Sequence, residues 1–262
     1  MDNKNVSKLE KQRIWVSVII TAYNVEKYIK QAIESVLVQN IPLEIIIIND
    51  ASTDNTEKVI YEYLHLDFFK YIKNNTNIGV AKSRNRGINM SQGEYIAFLD
   101  ADDWWERDKL RYQVFKLFKN PNYKFCYTAR AIYNGSDKNY VCTLFIDPVV
   151  DFKKLIKHNC VSCSSVVLPA YIAKKYLMLH DDAHEDFLMW LRILKDGGEA
   201  CGINRPLLNY RKVENSKSHN KIKSSYMTYK TYYYLTHSIC FAIKYTISHL
   251  FYSIIIRMKR KW

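Results

Sequence analysis

Three aspartates fall within four residues in Asp100-Ala101-Asp102-Asp103, directly behind the apolar segment GEYIAFL. Like charges this close repel, so the cluster is costly unless something positive relieves it. A divalent cation does so, because Mg²⁺ or Mn²⁺ takes one or two carboxylates and completes its shell with substrate phosphates and water. A solvated acidic loop is the plainer reading of so short a pattern, and Asp103 could serve only to cap the next helix. The strand-like run in front of the cluster favours a metal site. Asp50 opens a second polar group, DASTDNT, again behind an apolar run. Calcium is excluded there: the sixth loop position is Asn55 instead of glycine, and the twelfth is Tyr61 instead of glutamate. A strand-end carboxylate can instead accept a hydrogen bond from a base or ribose, with a simple turn aspartate as the alternative. Arg84 shares a helix face with Ala81 and Ile88, so it needs an anionic or carbonyl partner, in a buried ion pair or a nucleotide. Asp186 opens a helix and shares its face with Met189, Trp190 and Ile193. An acid in a first turn suits the helix dipole, and partial desolvation also suits a general base.

These side chains need a scaffold, and the first hundred residues provide one. Val16 to Ile20 and Ile45 to Ile48 are short, β-branched apolar runs, the pattern of strands covered on both faces. Phe69 to Ile72 and Tyr95 to Leu99 are two further strands. Between them lie helical spacings: Val25 to Leu37, capped by Asn24; a helix behind the capping-box pair Asp54 and Glu57; and Gly79 to Met90. Alternation of this kind predicts a mostly parallel sheet with helices on both faces, whose ligands bind beyond the carboxyl ends of the strands. Thr21 to Asn24, Asn49 to Asp54 and Asp100 to Asp103 all lie at such ends. Farther along, Arg107 to Phe118 reads as a helix, Phe125 to Tyr133 as extended and Val166 to Leu168 as a short strand. Glu185 to Lys195 is a helix ended by Gly197-Gly198.

The chain has 262 residues, 48% of them hydrophobic, which is enough for a sizeable core in one or two domains. Its 39 basic and 26 acidic residues leave +13, so an anionic partner is expected: nucleotide phosphates, nucleic acid or anionic lipid. The opening residues, MDNKNVSKLEKQR, are not expected to form a secretory signal. Of six cysteines only Cys160 and Cys163 form a CxxC pair, too few for a four-ligand zinc site, and a reducing cytosol is expected.

Taken in order, VSVIITAYN, EIIIINDASTDNT, NIG with AKSRNRG, GEYIAFLDADDWW and HEDFLMWLRIL resemble the motifs of family-2 glycosyltransferases over roughly residues 14 to 211. The resemblance implies a GT-A fold, a Rossmann-like α/β arrangement with a mostly parallel sheet and flanking helices. It implies a nucleotide-diphospho-sugar donor, expected to be a UDP-sugar, with Mn²⁺ or Mg²⁺ and inversion at the anomeric carbon. By position, Thr21, Tyr23, Asp50 and Arg84 match contacts to the uridine, and Asp100 a donor or ribose contact. Asp102 matches the metal ligand and Asp186 the catalytic base. Trp105, Glu185, Arg211 and His219 are further expected contacts to acceptor or diphosphate. Two departures stand out. Thr21 replaces a proline common in relatives, and Tyr210-Arg211 is followed by Lys212 and Val213 where many carry a histidine. The expected division is a polar lead over residues 1–13, a GT-A domain over 14–225 with a nucleotide half (14–105) and an acceptor half (106–225), and a basic amphipathic tail over 226–262.

The expected enzyme is a bacterial hexosyl- or N-acetylhexosaminyl-transferase acting on a glycan or lipid-linked acceptor in surface-polysaccharide synthesis. A sugar-nucleotide pyrophosphorylase is a competing reading, but TAYNVEKY lacks the glycine-rich loop that such enzymes place after their first strand. A non-catalytic nucleic-acid binder would use the positive charge and the 21 tyrosines, yet the sheet edge is acidic. No nucleic-acid partner is therefore expected. In the tail, Lys244 interrupts the apolar run and disfavours a membrane span. The stripe including Ile243, Ile247 and Phe251, ahead of Arg257, Lys259, Arg260 and Lys261, predicts an interfacial helix on anionic lipid. A peripheral position on the cytoplasmic face of the membrane follows, with packing on protein as the alternative for the helix.

Overall fold

Four strands, Val16–Ala22 (β1), Leu43–Asn49 (β2), Phe69–Lys73 (β3) and Tyr95–Asp100 (β4), build the first half of the sheet. Helices Ile29–Leu37 (α1), Thr56–Tyr61 (α2) and Val80–Met90 (α3) connect them. All four strands pair in parallel, in the order β3-β2-β1-β4. The computed structural model describes residues 15–135, 139–213 and 221–259, so the polar lead and His219 lie outside the described residues. The central strands read as continuous apolar runs because both faces are covered. Ile19, Ile96 and Phe98 enter one core, while Val18, Ile20, Ile45, Ile47 and Leu99 enter the other. In α1, Ile29, Ala32, Ile33 and Val36 are buried, the spacing of one helix face.

The second half adds Trp104–Trp105 (β5), Lys109–Lys119 (α4), Tyr123–Asn134 (β6), Asn139–Leu144 (β7), Val149–Val150 (β8) and Phe152–Leu155 (α5). After a 3-10 turn at Cys163–Ser165 come Val167–Pro169 (β9), Ala170–Lys175 (α6), Glu185–Lys195 (α7) and Glu199–Lys212 (β10). The chain then forms Lys221–Thr236 (α8) and Ile239–Lys259 (α9). The whole sheet runs β3-β2-β1-β4-β9-β6-β10-β5, with β7 on β6 and β8 on β10. The antiparallel β9 joins the two halves.

Several local expectations need correction. Asn24 does not cap a helix: its φ is 51°, its side-chain oxygen accepts from the Thr53 amide (2.8 Å), and α1 starts only at Ile29. Asp54 and Glu57 form no capping box. Asp54 accepts from the Thr56 and Glu26 amides, and Glu57 pairs with Lys73. Both loops are held by each other, which outcompetes the local cap. The sequence reading missed β5, β7, β8, β10, α5 and α6. Strand β10 is hard to read because its ladder with β6 is irregular around Pro206, which has no N–H to give it.

One side of α8 and the start of α9 enter the core. Tyr232 is fully buried and its hydroxyl donates to the Ile156 carbonyl (2.7 Å), while Thr231 accepts from the His184 amide (3.1 Å). Met227, Leu235 and, on α9, Ala242 are buried as well.

Candidate active site

Parallel register brings the strand ends to one edge. Thr21 pairs with Ile48 on one side and Asp100 on the other, and Ala22 pairs with Asn49. The loops beyond are laced together: the Val25 amide donates to Thr56 Oγ1 (2.9 Å) and the Asn24 amide to Ser52 Oγ (3.1 Å). Thr21 is half-buried on this edge, and Tyr23 is exposed beside it. Asp50 is buried. Its Oδ1 accepts from Asn74 (2.6 Å) and the Ile78 amide (2.9 Å), and its Oδ2 from the Gly79 amide (2.9 Å). This carboxylate therefore shapes the start of α3.

Gly79 is required there, with φ at +91° and an added Cβ falling 2.6 Å from the Asp181 carboxyl carbon. Asp181 in turn accepts from the Ala81 amide (2.8 Å), tying the segment ahead of α7 to the first turn of α3. Gly79→Ala should therefore cost about 1–3 kcal/mol of stability. Thermal unfolding checks it: a melting temperature equal to that of the native chain would contradict this role for Gly79.

Arg84 is buried and bridges two acids, donating through Nη2 to Asp100 (2.5 Å) and through Nη1 to Glu185 (2.7 Å). Burial works against its charge, yet Asp100, Glu185 and Asp186 hold its pKa well above that of a free guanidinium. Of the two expectations for Arg84, the geometry fits the buried ion pair. Glu185 likewise accepts from Arg84 through one oxygen, while it also lines the cavity that Asp102 faces. The bridge fastens the end of β4 to the start of α7.

Asp102 faces a cavity, and burial, then the Asp100 charge, push its pKa up to about 6. Asp103 lies behind it, buried, and its Oδ1 accepts from the Arg211 amide (3.0 Å). Two expected contacts are corrected here. Arg211 is buried and spends its guanidinium on the Asp102 carbonyl (3.0 Å), the Gly135 carbonyl (2.9 Å) and Gln31 (2.8 Å). It clamps the acidic turn from beneath. Trp105 is only 3% exposed and donates its indole N–H to the Ser164 carbonyl (2.7 Å), so it supports the turn at 163–165.

Asp186 lines the same cavity, which encloses about 660 Å³ together with Arg84, Asp100, Asp102 and Glu185. Its Oδ1 accepts from the Phe187 amide (2.7 Å). Burial, then the neighbouring Glu185 charge, raise its pKa to about 6. The cavity thus unites Arg84, Asp100, Asp102, Glu185 and Asp186, whereas Thr21, Tyr23 and Asp50 lie off it on the adjoining sheet edge. Sequence reasoning missed Asp181, and the cavity-lining Arg130, Tyr210 and Lys212. The acidic run ahead of α7 was a usable signal for Asp181.

Among the described residues no three Asp, Glu, His or Cys side chains converge on a metal position. One carboxylate suffices for Mg²⁺ or Mn²⁺ when substrate phosphates complete the shell. Asp102 fits that pattern, since its charge is disfavoured where it stands and a cation would relieve it. Cys160 and Cys163 are free thiols whose pKa values burial raises.

Known proteins share this fold. The sequence model described as "Glycosyl transferase family 2" matches residues 17–164. WfaP of Escherichia coli, a UDP-Glc:alpha-D-GlcNAc-diphosphoundecaprenol beta-1,3-glucosyltransferase, is 34% identical over 211 residues, covering 79% of this chain and 81% of WfaP. The crystal structure of S. aureus TarS 1–349 in complex with UDP-GlcNAc superposes with a TM-score of 0.69 at 17% identity, covering 90% of this chain and 72% of TarS. The mannosyltransferase PcManGT from Pyrobaculum calidifontis, in complex with GDP-Man and Mn²⁺, gives a TM-score of 0.68 at 16% identity, covering 89% and 70%. The sheet and its flanking helices are thus those of the GT-A transferases.

Proposed function

Because this chain belongs to glycosyl transferase family 2, we propose that it transfers a sugar, with inversion, from a UDP-sugar to a diphosphate-linked glycan on a lipid carrier, in surface-polysaccharide synthesis. The observation that carries this reading is the shared cavity of Asp102 and Asp186. The uridine donor is supported by WfaP and by the TarS complex, and the acceptor by WfaP. Thr21, Tyr23 and Asp50 are assigned to the uridine and Asp100 to the ribose or donor sugar. Arg84 acts through Asp100, holding its carboxylate in place. Residues 14–105 then form the donor half and 106–225 the acceptor half.

In the reaction, the acceptor hydroxyl gives its proton to the Asp186 carboxylate while its oxygen attacks the anomeric carbon. The bond to the diphosphate breaks, and UDP leaves. A single displacement needs a base and no protein nucleophile, so the anomeric configuration inverts, in contrast to a two-step retaining route. Asp102 would hold Mn²⁺ or Mg²⁺, a reading supported by the Mn²⁺ in PcManGT, and the bound cation would offset the charge on the leaving diphosphate. Incubation with a panel of labelled UDP-sugars and Mn²⁺ tests the assignment: free UDP is expected with at least one donor, and none with any donor would contradict it.

The tail is assigned to an anionic membrane surface, at the cytoplasmic face where such donors are found. No helix among the described residues is long and apolar enough to cross a membrane. One side of α9 packs on the core through Ala242, while Ile243, Ile247, Leu250, Phe251 and Ile254 are exposed. The basic residues at 257–261 supply the charge complement for anionic lipid, at about 1 kcal/mol each near such a surface. The chain should sediment with phosphatidylglycerol vesicles at low salt and be partly released at high salt. Ile247→Glu with Phe251→Glu should weaken that binding by about tenfold or more, since each side chain contributes roughly 1.5–3 kcal/mol on burial. Equal sedimentation of the native and variant chains would contradict it.

A further inference from the structure

The cavity has a second wall. Strands β6, β7 and β10 contribute Arg130, Ile132, Leu144, Tyr210 and Lys212 to its lining. Their spacing explains the selection. Side chains alternate along a strand, so Arg130 and Ile132 share one face of β6, and Tyr210 and Lys212 one face of β10. Tyr210 lies beside Ile132 in the ladder, and Leu144 beside Arg130. The same alternation turns Arg211 to the other side, where it clamps the acidic turn.

The two walls differ in charge. The first carries Asp100, Asp102, Glu185 and Asp186, with Arg84 already bridging Asp100 and Glu185. The second carries two cations, and none of its lining residues from β6, β7 or β10 is acidic. The Arg130 guanidinium lies 5.8 Å from the centre of the Tyr210 ring. An aromatic neighbour at this range helps to fix the direction of the guanidinium, whose planar fork matches the geometry of an oxyanion. With the donor diphosphate assigned to Asp102, the second anion in the proposed reaction is the diphosphate of the acceptor.

We propose that Arg130 and Lys212 form a phosphate subsite that holds the diphosphate of the acceptor, with Ile132 and Leu144 against its apolar parts. The assignment rests on the glycosyltransferase reading for the identity of the ligand, but binding can be measured without turnover. It makes the cationic wall a determinant of acceptor choice, separate from the donor site.

The test uses the full chain saturated with UDP and Mn²⁺, with farnesyl diphosphate as the probe, titrated by calorimetry. The native chain should bind it, and Arg130→Gln and Lys212→Gln should each weaken binding about tenfold or more, the scale of a lost charge-assisted contact. Arg130→Lys should recover part of the loss, because it restores charge without the planar fork. UDP affinity should be retained in all three variants. In transfer assays, the preference of Arg130→Gln for a GlcNAc diphosphate alkyl ester over the uncharged alkyl GlcNAc glycoside should fall by a similar factor. Absence of farnesyl diphosphate binding to the native chain, or equal binding by native and variant chains, would overturn the subsite. Loss of UDP affinity in Arg130→Gln would reassign the wall to the donor phosphates and overturn it equally. If the probe binds as expected but no UDP-sugar is turned over, the subsite stands and the transferase assignment fails.

Discussion

Asp186→Asn is expected to bind UDP like the native chain and to lose about 10²–10⁴-fold in transfer rate, the usual cost of removing a general base. Asparagine keeps the size of the side chain and can still accept from the Phe187 amide, so only the proton-accepting function goes. The pH dependence follows with a definite sign. A base must be deprotonated, so kcat/KM should fall as pH drops through about 6, the value to which burial and Glu185 raise this carboxyl. Stability runs the other way. Between the ordinary aspartate value of about 3.9 and the raised value, the folded chain keeps a proton the unfolded chain has lost. Stability therefore declines as pH rises through that window, and the variant should be at least as stable as the native chain at neutral pH. Steady-state kinetics across pH checks the first sign, and thermal unfolding across the same pH range checks the second. Near-native turnover in the variant would return Asp186 to the role of a helix-end acid.

Asp102→Asn should lose the metal dependence of donor binding and drop about 10²–10³-fold in kcat/KM, the range for removing one preorganised electrostatic contact. Burial and Asp100 disfavour the Asp102 charge, so its removal should not unfold the chain. The measurement is UDP affinity with and without Mn²⁺. The native chain should bind more tightly with the metal, and the variant should show no difference. Metal-dependent affinity unchanged in Asp102→Asn would mean that the acidic turn serves only as structure. Asp103, next to it, is the structural member of the cluster, committed to the Arg211 amide.

The legible parts of the sequence were those where one residue type has one physical reason. Val16 to Ile20 and Ile45 to Ile48 read as buried strands because both are β-branched apolar runs, with Val18, Ile20, Ile45 and Ile47 in one core and Ile19 in the other. Strand ends then follow, and with them the shared edge of Thr21, Asn49 and Asp100. Asp186 was readable because its helix periodicity set it beside Met189 and Trp190. Arg211 and Trp105 were misread for a different reason. Both are side chains whose direction depends on how β10 and β5 pair, and the irregular ladder near Pro206 leaves no local pattern for that pairing. Arg130 gave no signal, since a lone cation in a β-rich segment acquires meaning only when Tyr210 and Lys212 come alongside. Glu185 and Arg84 were each visible, but their mutual bridge joins residues 101 positions apart. The positive charge of the whole chain was the least specific signal, compatible with nucleotide, lipid or nucleic acid.

Inversion is the property that the proposed mechanism predicts most directly, because it assigns Asp186 as the base and uses no protein nucleophile. Nuclear magnetic resonance of the product formed from an α-linked UDP-sugar and a GlcNAc diphosphate alkyl ester reads it from the anomeric coupling. A β-linked product from the native chain, formed at least about a hundredfold more slowly by Asp186→Asn, is the expected result, whereas an α-linked product or a native rate from Asp186→Asn would contradict it.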